Sequence, residues 1–525
     1  MGVRRWEVAV LAALVALLVV GNAAWISQHR IDSAVDVDEH NLLNQGVAVR
    51  SSLARHGLAA IVRPDRYLSP SPVTAPGVPV ATALSLQLAG RSLLAAMVPI
   101  LASLAVLVVA AWAIGRQLGA GPWALLGAAV VGLAPVTSWF ARVHHLIIPG
   151  AACLAVCVAI GLRTRRLERR GWSIALGAAI GVALLVRTML VAIVPWILLG
   201  WVAVFLLRRR ATRAQVANLA LAALASVLVA AWWWVRNGAE TVDYLRHGPV
   251  TSDSAPWWNV GLELQRIGTV VTGHDTPVSA WLAGAAAVVL FGVALAANVG
   301  RRWLTASDAY VAVVVAGTLA ALVLARDDFP GFSLLVAGVA IPWAVSVAAR
   351  TPWPGVRVAS LGLWSCVAAF GLVRFPAADT GWYQVRSEET HITGGIDGRG
   401  WSDVYAAVLG AAADATPEGC EARLVLPQGD DLIATGFFRW AEVVGRGGPE
   451  PVEVGYDRWE GLDLEQQAQL AADEGATVAL ITAGDFSEVD DGDARDALRA
   501  AGFEEQTTVE TPDGRDLEVW RPPGC

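Results

Sequence analysis

Eleven runs of apolar residues, most of them close to twenty long, decide what this chain can fold into. A hydrocarbon layer of about 30 Å takes about 20 apolar residues per helix. The runs lie near 6–28, 91–114, 122–140, 146–162, 173–187, 188–207, 214–234, 277–298, 308–325, 331–349 and 357–375. The fifth is short, and the fifth and sixth must turn tightly near Arg187. Only 16% of the residues are charged, against about 25% in an ordinary soluble protein. The expected fold class is therefore a polytopic α-helical membrane protein of about 11 transmembrane helices. Basic residues before the first run give it the look of a signal peptide. The run over 8–25 is long for one, however, and lacks a small-x-small site placed for cleavage, so it reads as a retained first helix.

The net charge of -7 conceals two halves. Residues 376–525 hold 31 acids against 10 arginines, a net of -21, and residues 1–375 hold 15 acids against 29 arginines, a net of +14. The chain reads as a basic membrane body over 1–375 and an acidic soluble domain over 376–525. Cytoplasmic loops collect positive charge, and every basic residue here is arginine. The amino-terminal pair, Arg116, "RTRRLERR", "RRRATR", "GRRW" and the 350–357 loop fall on one side of an eleven-span scheme and hold 16 arginines. This predicts a multi-pass protein of the cell membrane with a cytoplasmic amino terminus and an extracytoplasmic carboxyl-terminal domain.

The outer side then receives a first loop (29–90), a second (235–276) and the tail. In the first loop, "DEHNLLNQGVAVRSSLARHG" spaces Leu42, Leu43, Val47 and Leu53 as a helix would, which suits a helix lying flat on the membrane. "RPDRYLSPSPVTAPGVP" is too broken by proline for regular structure. The tail reads as an α/β domain: strands at "ARLVLP" and "TVALIT", helices at "DLEQQAQLAADEG" and "DARDALRAAGF", and a closing hairpin turning at Asp-Gly. Cys420 and Cys525 are its two cysteines and form a disulfide candidate in an oxidising compartment. Cys153, Cys157 and Cys366 fall in spans, where a thiol acts as a small hydrophobe.

Residues able to do chemistry gather on the outer side. "VDVDEH" places Asp36, Asp38 and Glu39 just past the first run. A solvated loop would explain them, and so would a general base that takes a proton from an acceptor at the membrane surface. Arg187 lies between two spans with no polar loop around it, and must snorkel or meet an anion. Phosphate suits it, because guanidinium binds phosphate bidentately. Arg236 follows Trp232, Trp233 and Trp234 on the side where the charge rule disfavours arginine. Arg142, His144 and His145 in "ARVHH" are candidates for a phosphate, a substrate or a divalent metal, with an interfacial pair as the plainer account of the histidines. Arg326, Asp327 and Asp328 complete the set. Carboxylates after the first span and arginines at four span junctions suit an anionic lipid whose headgroup is processed outside. No Gly-rich phosphate loop is found, so no nucleotide site is indicated, and no nucleic-acid partner is expected.

With these residues in view, the chain resembles the GT-C superfamily of polyprenyl-phosphate-sugar-dependent glycosyltransferases. The likeness lies toward the protein O-mannosyltransferase and lipid A aminoarabinose transferase branch. "VDVDEHNLLNQGVAVRSSLARHG" is similar to its first-loop signature, and "GLAPVTSWFARVHH" to its third span ending in Pro and then Arg. "AAWWWVRNG" resembles its Pro-Trp-x-x-Arg-Asn segment and "LARDDFPGFSLLVAGVAIPWA" its late Arg-Tyr-x-x-Pro segment. Between them, the stretch from "SPVTAPG" to "GRQLGAG" is similar to the Pro-rich loop and second span. The resemblance covers about 1–375 and implies Asp38 as general base beside Glu39, with Arg236 and Arg326 near the donor phosphate. It implies a polyprenyl-phosphate-linked sugar as donor, an extracytoplasmic protein, lipid or glycan as acceptor, and inversion at the anomeric carbon. Three positions depart from the pattern. His144 and His145 stand where an acid is usual, Asp327 and Asp328 where an aromatic is common, and Ala where Pro precedes the tryptophans. Two other readings start from the same residues. A transporter or flippase would more naturally show internal repeats and mid-span charges, and a non-catalytic protein would use the acidic tail to bind a cationic partner.

Overall fold

The computed structural model describes residues 4–30, 37–57, 59–60, 63–69, 71–208, 211–247, 268, 277–299, 304–325 and 332–376. Beyond these it describes 403–404, 407–408, 410, 424–425, 466, 469, 478–483, 491–510 and 516–521. Two compact units divide the chain: Met1–Ala24, Gln45–Ser85 and Met97–Ala378 in one, and Trp25–Asn44, Leu86–Ala96 and Asp379–Cys525 in the other.

Each apolar run carries helix. In chain order these are α1 (Arg5–His29), α2 (Val37–His56), α3 (Pro64–Tyr67), α4 (Gly77–Ala89), α5 (Leu93–Gln117), α6 (Ala124–Leu133), α7 (Pro135–Phe140) and α8 (Ile147–Arg163). They continue as α9 (Arg170–Val186), α10 (Leu190–Ile193), α11 (Pro195–Arg208), α12 (Arg213–His247), α13 (Pro277–Val299), α14 (Ala306–Ala325), α15 (Ser333–Arg350) and α16 (Pro354–Arg374). Among the described residues seven helices are long and apolar enough to cross a membrane: α1, α5, the α10–α11 stretch, α12, α14, α15 and α16. Shorter apolar helices cover the other runs. Proline explains two interruptions. Ala134 is extended (ψ 133°) before Pro135, which parts α6 from α7, and Pro195 opens α11.

The first outer loop departs from expectation. α2 forms where the spacing put it and stops at Gly57 in the left-handed region (φ 52°). Leu42, Leu43 and Val47, the residues whose spacing marked it, are buried in protein. Val49 and Leu53 pack against Ala60, Leu68 and Ala83. The cover is the Pro-rich stretch itself, which is not structureless: it forms α3 and the start of α4. Pro64 and Pro79 fall in first turns, where a missing N–H costs nothing. The His56 ring tilts on Tyr67 (4.3 Å), Gln45 reaches Thr74 (3.4 Å), and a Cβ on Gly46 would lie 2.7 Å from Thr82.

Deeper in the same unit, helices approach through small residues. Ser173, Gly177 and Gly181 follow one another at four-residue steps on α9, facing Ala222, Ser226 and Val229 of α12. In lipid, where apolar surface gains nothing by leaving the solvent, such close backbone approach is what holds helices together. α15 is buried along nearly all its length. Its Arg350 binds Asp308 at the start of α14 through two hydrogen bonds (2.6 and 3.1 Å), and Trp343 donates to the same carboxylate (3.2 Å). α12 runs 35 residues without a break, about 52 Å at 1.5 Å per residue.

In the other unit a four-stranded sheet has the order β1-β2-β4-β3, with β1 (Leu424–Val425), β2 (Val478–Ala483), β3 (Glu504–Glu510) and β4 (Asp516–Arg521). β1 and β2 are parallel, and the other pairs are antiparallel. β3 and β4 form the expected hairpin, paired from Glu510–Asp516 outward with an irregularity between Glu505 and Thr507. α17 (Asp491–Ala500) is fastened to β4, since Arg495 grips Glu518 (2.5 and 2.9 Å) and Arg499 lies over Trp520 (5.5 Å). Cys420 and Cys525 lie outside the described residues.

Candidate functional site

Where α1 gives way to α2, Trp25 stacks on His29 (4.6 Å) in the last turn of α1, and the Arg30 amide closes that turn on the Ile26 carbonyl (2.9 Å). The Arg30 guanidinium then binds Glu39, the third residue of α2, at 2.5 Å, with both side chains fully buried. Asp38 is the second residue of α2. Its side chain lies outside the described residues; in sequence it directly precedes Glu39 of the buried pair. A buried pair with one partner removed leaves a desolvated charge, at about 3–5 kcal/mol. Arg30→Met alone is therefore expected to destabilise the protein by that amount. The double variant Arg30→Met, Glu39→Leu should recover most of it. Thermal unfolding in detergent, run as a double-mutant cycle, measures both; a double variant as unstable as the single one would give the pair a role beyond charge neutralisation.

In the first unit, Arg142 is fully buried after α7 and tied on two sides. Its Nε donates to Asn22 of α1 (2.9 Å), its Nη2 to the Phe375 carbonyl at the end of α16 (2.6 Å), and its guanidinium lies over the Phe375 ring (5.4 Å). These contacts join three helix ends. Two residues on, His144 Nε2 meets Thr82 Oγ1 of α4 (2.8 Å), and Thr82 in turn fills the notch left by Gly46 of α2. His145 Nδ1 accepts the Ile147 amide (3.2 Å) at the start of α8 and its ring faces Phe140 (5.5 Å). The histidine pair thus braces the first-loop helices and caps a span. Among the described residues no group of three or more His, Cys, Asp or Glu stands close enough to hold a metal ion.

Arg187 does not snorkel to the surface. It ends α9 in extended conformation (φ -150°, ψ 121°) and is 6% exposed. Its guanidinium lies over the Phe332 ring (4.8 Å) at the start of α15, and Gly150 of α8 makes room for it, since a Cβ there would come within 3.0 Å of Arg187 Cδ. One turn back, the Leu184 carbonyl accepts from Trp234 Nε1 (3.3 Å). The tryptophans do more than anchor. Trp233 is fully buried and donates to Ser69 Oγ (2.9 Å), and Thr241 binds the Pro72 carbonyl (3.0 Å), so the second half of α12 clamps Ser69 and Pro72. Arg236 is exposed on α12, one turn beyond the clamped tryptophans. Arg326, Asp327 and Asp328 lie outside the described residues.

Sequence reasoning missed Arg30, Asn22, Thr82 and Gly150. Arg30 had left a signal: it follows the first span on the outer side, where the charge rule disfavours arginine, as it does for Arg236. The other three carry no local mark.

Solved structures share this fold from end to end. ArnT from Cupriavidus metallidurans in the apo state matches with a TM-score of 0.61 at 15% identity, over 98% of this chain and 97% of that one. ArnT from Cupriavidus metallidurans bound to undecaprenyl phosphate matches at 0.60 and 14%, over 98% of each chain. The archaeal oligosaccharyltransferase AglB from Archaeoglobus fulgidus, in complex with an inhibitory peptide and a dolichol-phosphate, matches at 0.52 and 12%, over 98% of this chain and 74% of that one. No family model matches the chain, and no curated protein sequence does. The chain therefore has the fold of these neighbours, and among its described residues seven helices are long and apolar enough to cross a membrane.

Proposed function

We propose that this chain, built on the GT-C fold, is a membrane glycosyltransferase that moves a sugar from a polyprenyl-phosphate donor to an acceptor outside the membrane. The acceptor oxygen attacks the anomeric carbon, the bond from that carbon to the phosphate oxygen breaks, and polyprenyl phosphate leaves. A single displacement inverts the anomeric centre. Asp38 takes the acceptor proton, and guanidinium groups stabilise charge growing on the leaving phosphate. Arg187 is the first choice for that role, because it is buried at a helix break against an aromatic ring. Arg142, with Nε and Nη2 engaged by Asn22 and Phe375, serves as a structural tie. Arg236 and Arg326 complete the donor side. In this reading eleven spans put the amino terminus in the cytoplasm and the residues 376–525 outside.

The observation that carries the reading is the end-to-end likeness to ArnT, of which one solved structure holds undecaprenyl phosphate. The test is release of free polyprenyl phosphate by the purified protein from a panel of polyprenyl-phosphate sugars, with a cell-envelope extract supplying the acceptor. Release from one donor that depends on the extract supports the reading and names the sugar. No release from any donor overturns it in favour of transport or partner binding.

A further inference from the structure

An apolar groove opens between α5 and α8, lined by none of the residues proposed for the transfer reaction. It is lined by Ala105, Val106, Val109, Ala110 and Ala113 of α5 and by Val156, Ala159 and Ile160 of α8, with a volume of about 340 Å³. α15 lies behind it: a Cβ on Gly338 would come within 3.0 Å of Leu107 on α5 and 3.9 Å of the Ala151 carbonyl on α8. One end is closed where Gln117 of α5 donates to the Ala159 carbonyl (3.1 Å). Val106 and Val109 are 46% and 42% exposed, so the groove faces the hydrocarbon of the bilayer.

At the Gln117 end the lining changes character. Arg163, the last residue of α8, and Trp172 of α9 complete the wall, with the guanidinium 5.1 Å from the indole ring centre. Directly after Arg163 come Arg165, Arg166, Arg169 and Arg170, all exposed, against the single acid Glu168. Arg165, Arg166 and Leu167 hold the left-handed region (φ 51°, 62° and 61°), each at a cost of about 1–2 kcal/mol. Hydrogen bonds from Gln215 and Asn218 of α12 to the Arg166 and Leu167 carbonyls (3.0 and 2.7 Å), together with the Thr164 hydroxyl, hold that turn in place. Side chains short enough to leave a furrow over about 12 Å of helix thus lead to a cation-π pair and a run of exposed arginines.

We infer that this groove is a binding site for an anionic phospholipid, with one acyl chain along α5 and α8 and the phosphate at Arg163. The interior has no polar group to hold anything but hydrocarbon, and its mouth carries positive charge at the side that the arginine distribution assigns to the cytoplasm, where anionic lipids are held. The site is independent of the proposed transfer reaction.

Native mass spectrometry of the purified full chain, titrated with phosphatidylglycerol or phosphatidylcholine of identical acyl chains, tests it. Wild type should retain phosphatidylglycerol about tenfold better, because phosphatidylcholine sets a choline cation beside its phosphate and so meets the arginines with no net charge. Arg163→Gln should lose that preference and still take either lipid. Ala113→Phe, which fills the groove, should lower binding of both. Melting temperature shows that each variant is folded, and Val106→Phe gives a second filled groove if Ala113→Phe is not. Equal retention of both lipids by wild type, a preference untouched by Arg163→Gln, or binding untouched by the filled groove would each overturn the assignment.

Discussion

Asp38→Asn is expected to lower turnover of the lipid-linked donor by about 10²- to 10⁴-fold, the range of a lost general base, with the melting temperature unchanged. Asn keeps the size of the side chain and removes the basic oxygen. The substitution leaves the Arg30–Glu39 pair and the buried Leu42 and Leu43 of α2 in place. Affinity for the donor should therefore hold while kcat falls. Wild-type and variant release of polyprenyl phosphate, compared under single-turnover conditions, measures the effect. Equal rates would move the base elsewhere and leave Asp38 as a solvated residue of the first turn.

The largest effect on stability is expected at Gly177. A Cβ there falls on the backbone carbonyl of Ala222, and one at Gly181 comes within 2.6 Å of Val229. Backbone cannot rotate aside, so even Gly177→Ala must push α9 and α12 apart along a contact that spans several turns. A loss beyond about 4 kcal/mol is expected, seen as failure to accumulate in the membrane or as early unfolding in detergent. Trimming the partner to Ala222→Gly should not rescue it, since the carbonyl stays. Gly362 of α16 is the control: no atom lies within 4 Å of its Cβ position, so Gly362→Ala should leave stability unchanged or slightly improved. A Gly177→Ala protein as stable as wild type would mean that α9 and α12 can slide past each other.

The helices were legible because a span is written in consecutive residues. The long apolar runs of α1 and α5 need no partner to be recognised, and the pairing of β3 with β4 follows from strands adjacent in sequence. Proline misled in 63–79: counted as a breaker, it was compatible with helix because it sits in first turns. The corner at Asp38 and Glu39 was legible in part. Its acids stand out against their apolar surroundings, yet Arg30 shows only as a violation of the charge rule. The contacts of Arg142 were not legible at all. Asn22 lies 120 residues away and Phe375 233, and no periodicity links positions so distant. Arg187 stands out in the sequence as a charge between two spans, but the room that buries it comes from the absence of a side chain at Gly150 on another span.

The unbroken length of α12 has a mechanical meaning. About 30 Å of its roughly 52 Å matches the hydrocarbon of a bilayer; Trp233 at the end of that stretch and Thr241 beyond it grip Ser69 and Pro72. A rod without a hinge passes its inclination on undiminished. When a thicker bilayer draws a span upright or a thinner one lets it lean, the grip on the first loop travels with it, so the lipid composition of the membrane sets the height at which that loop is held.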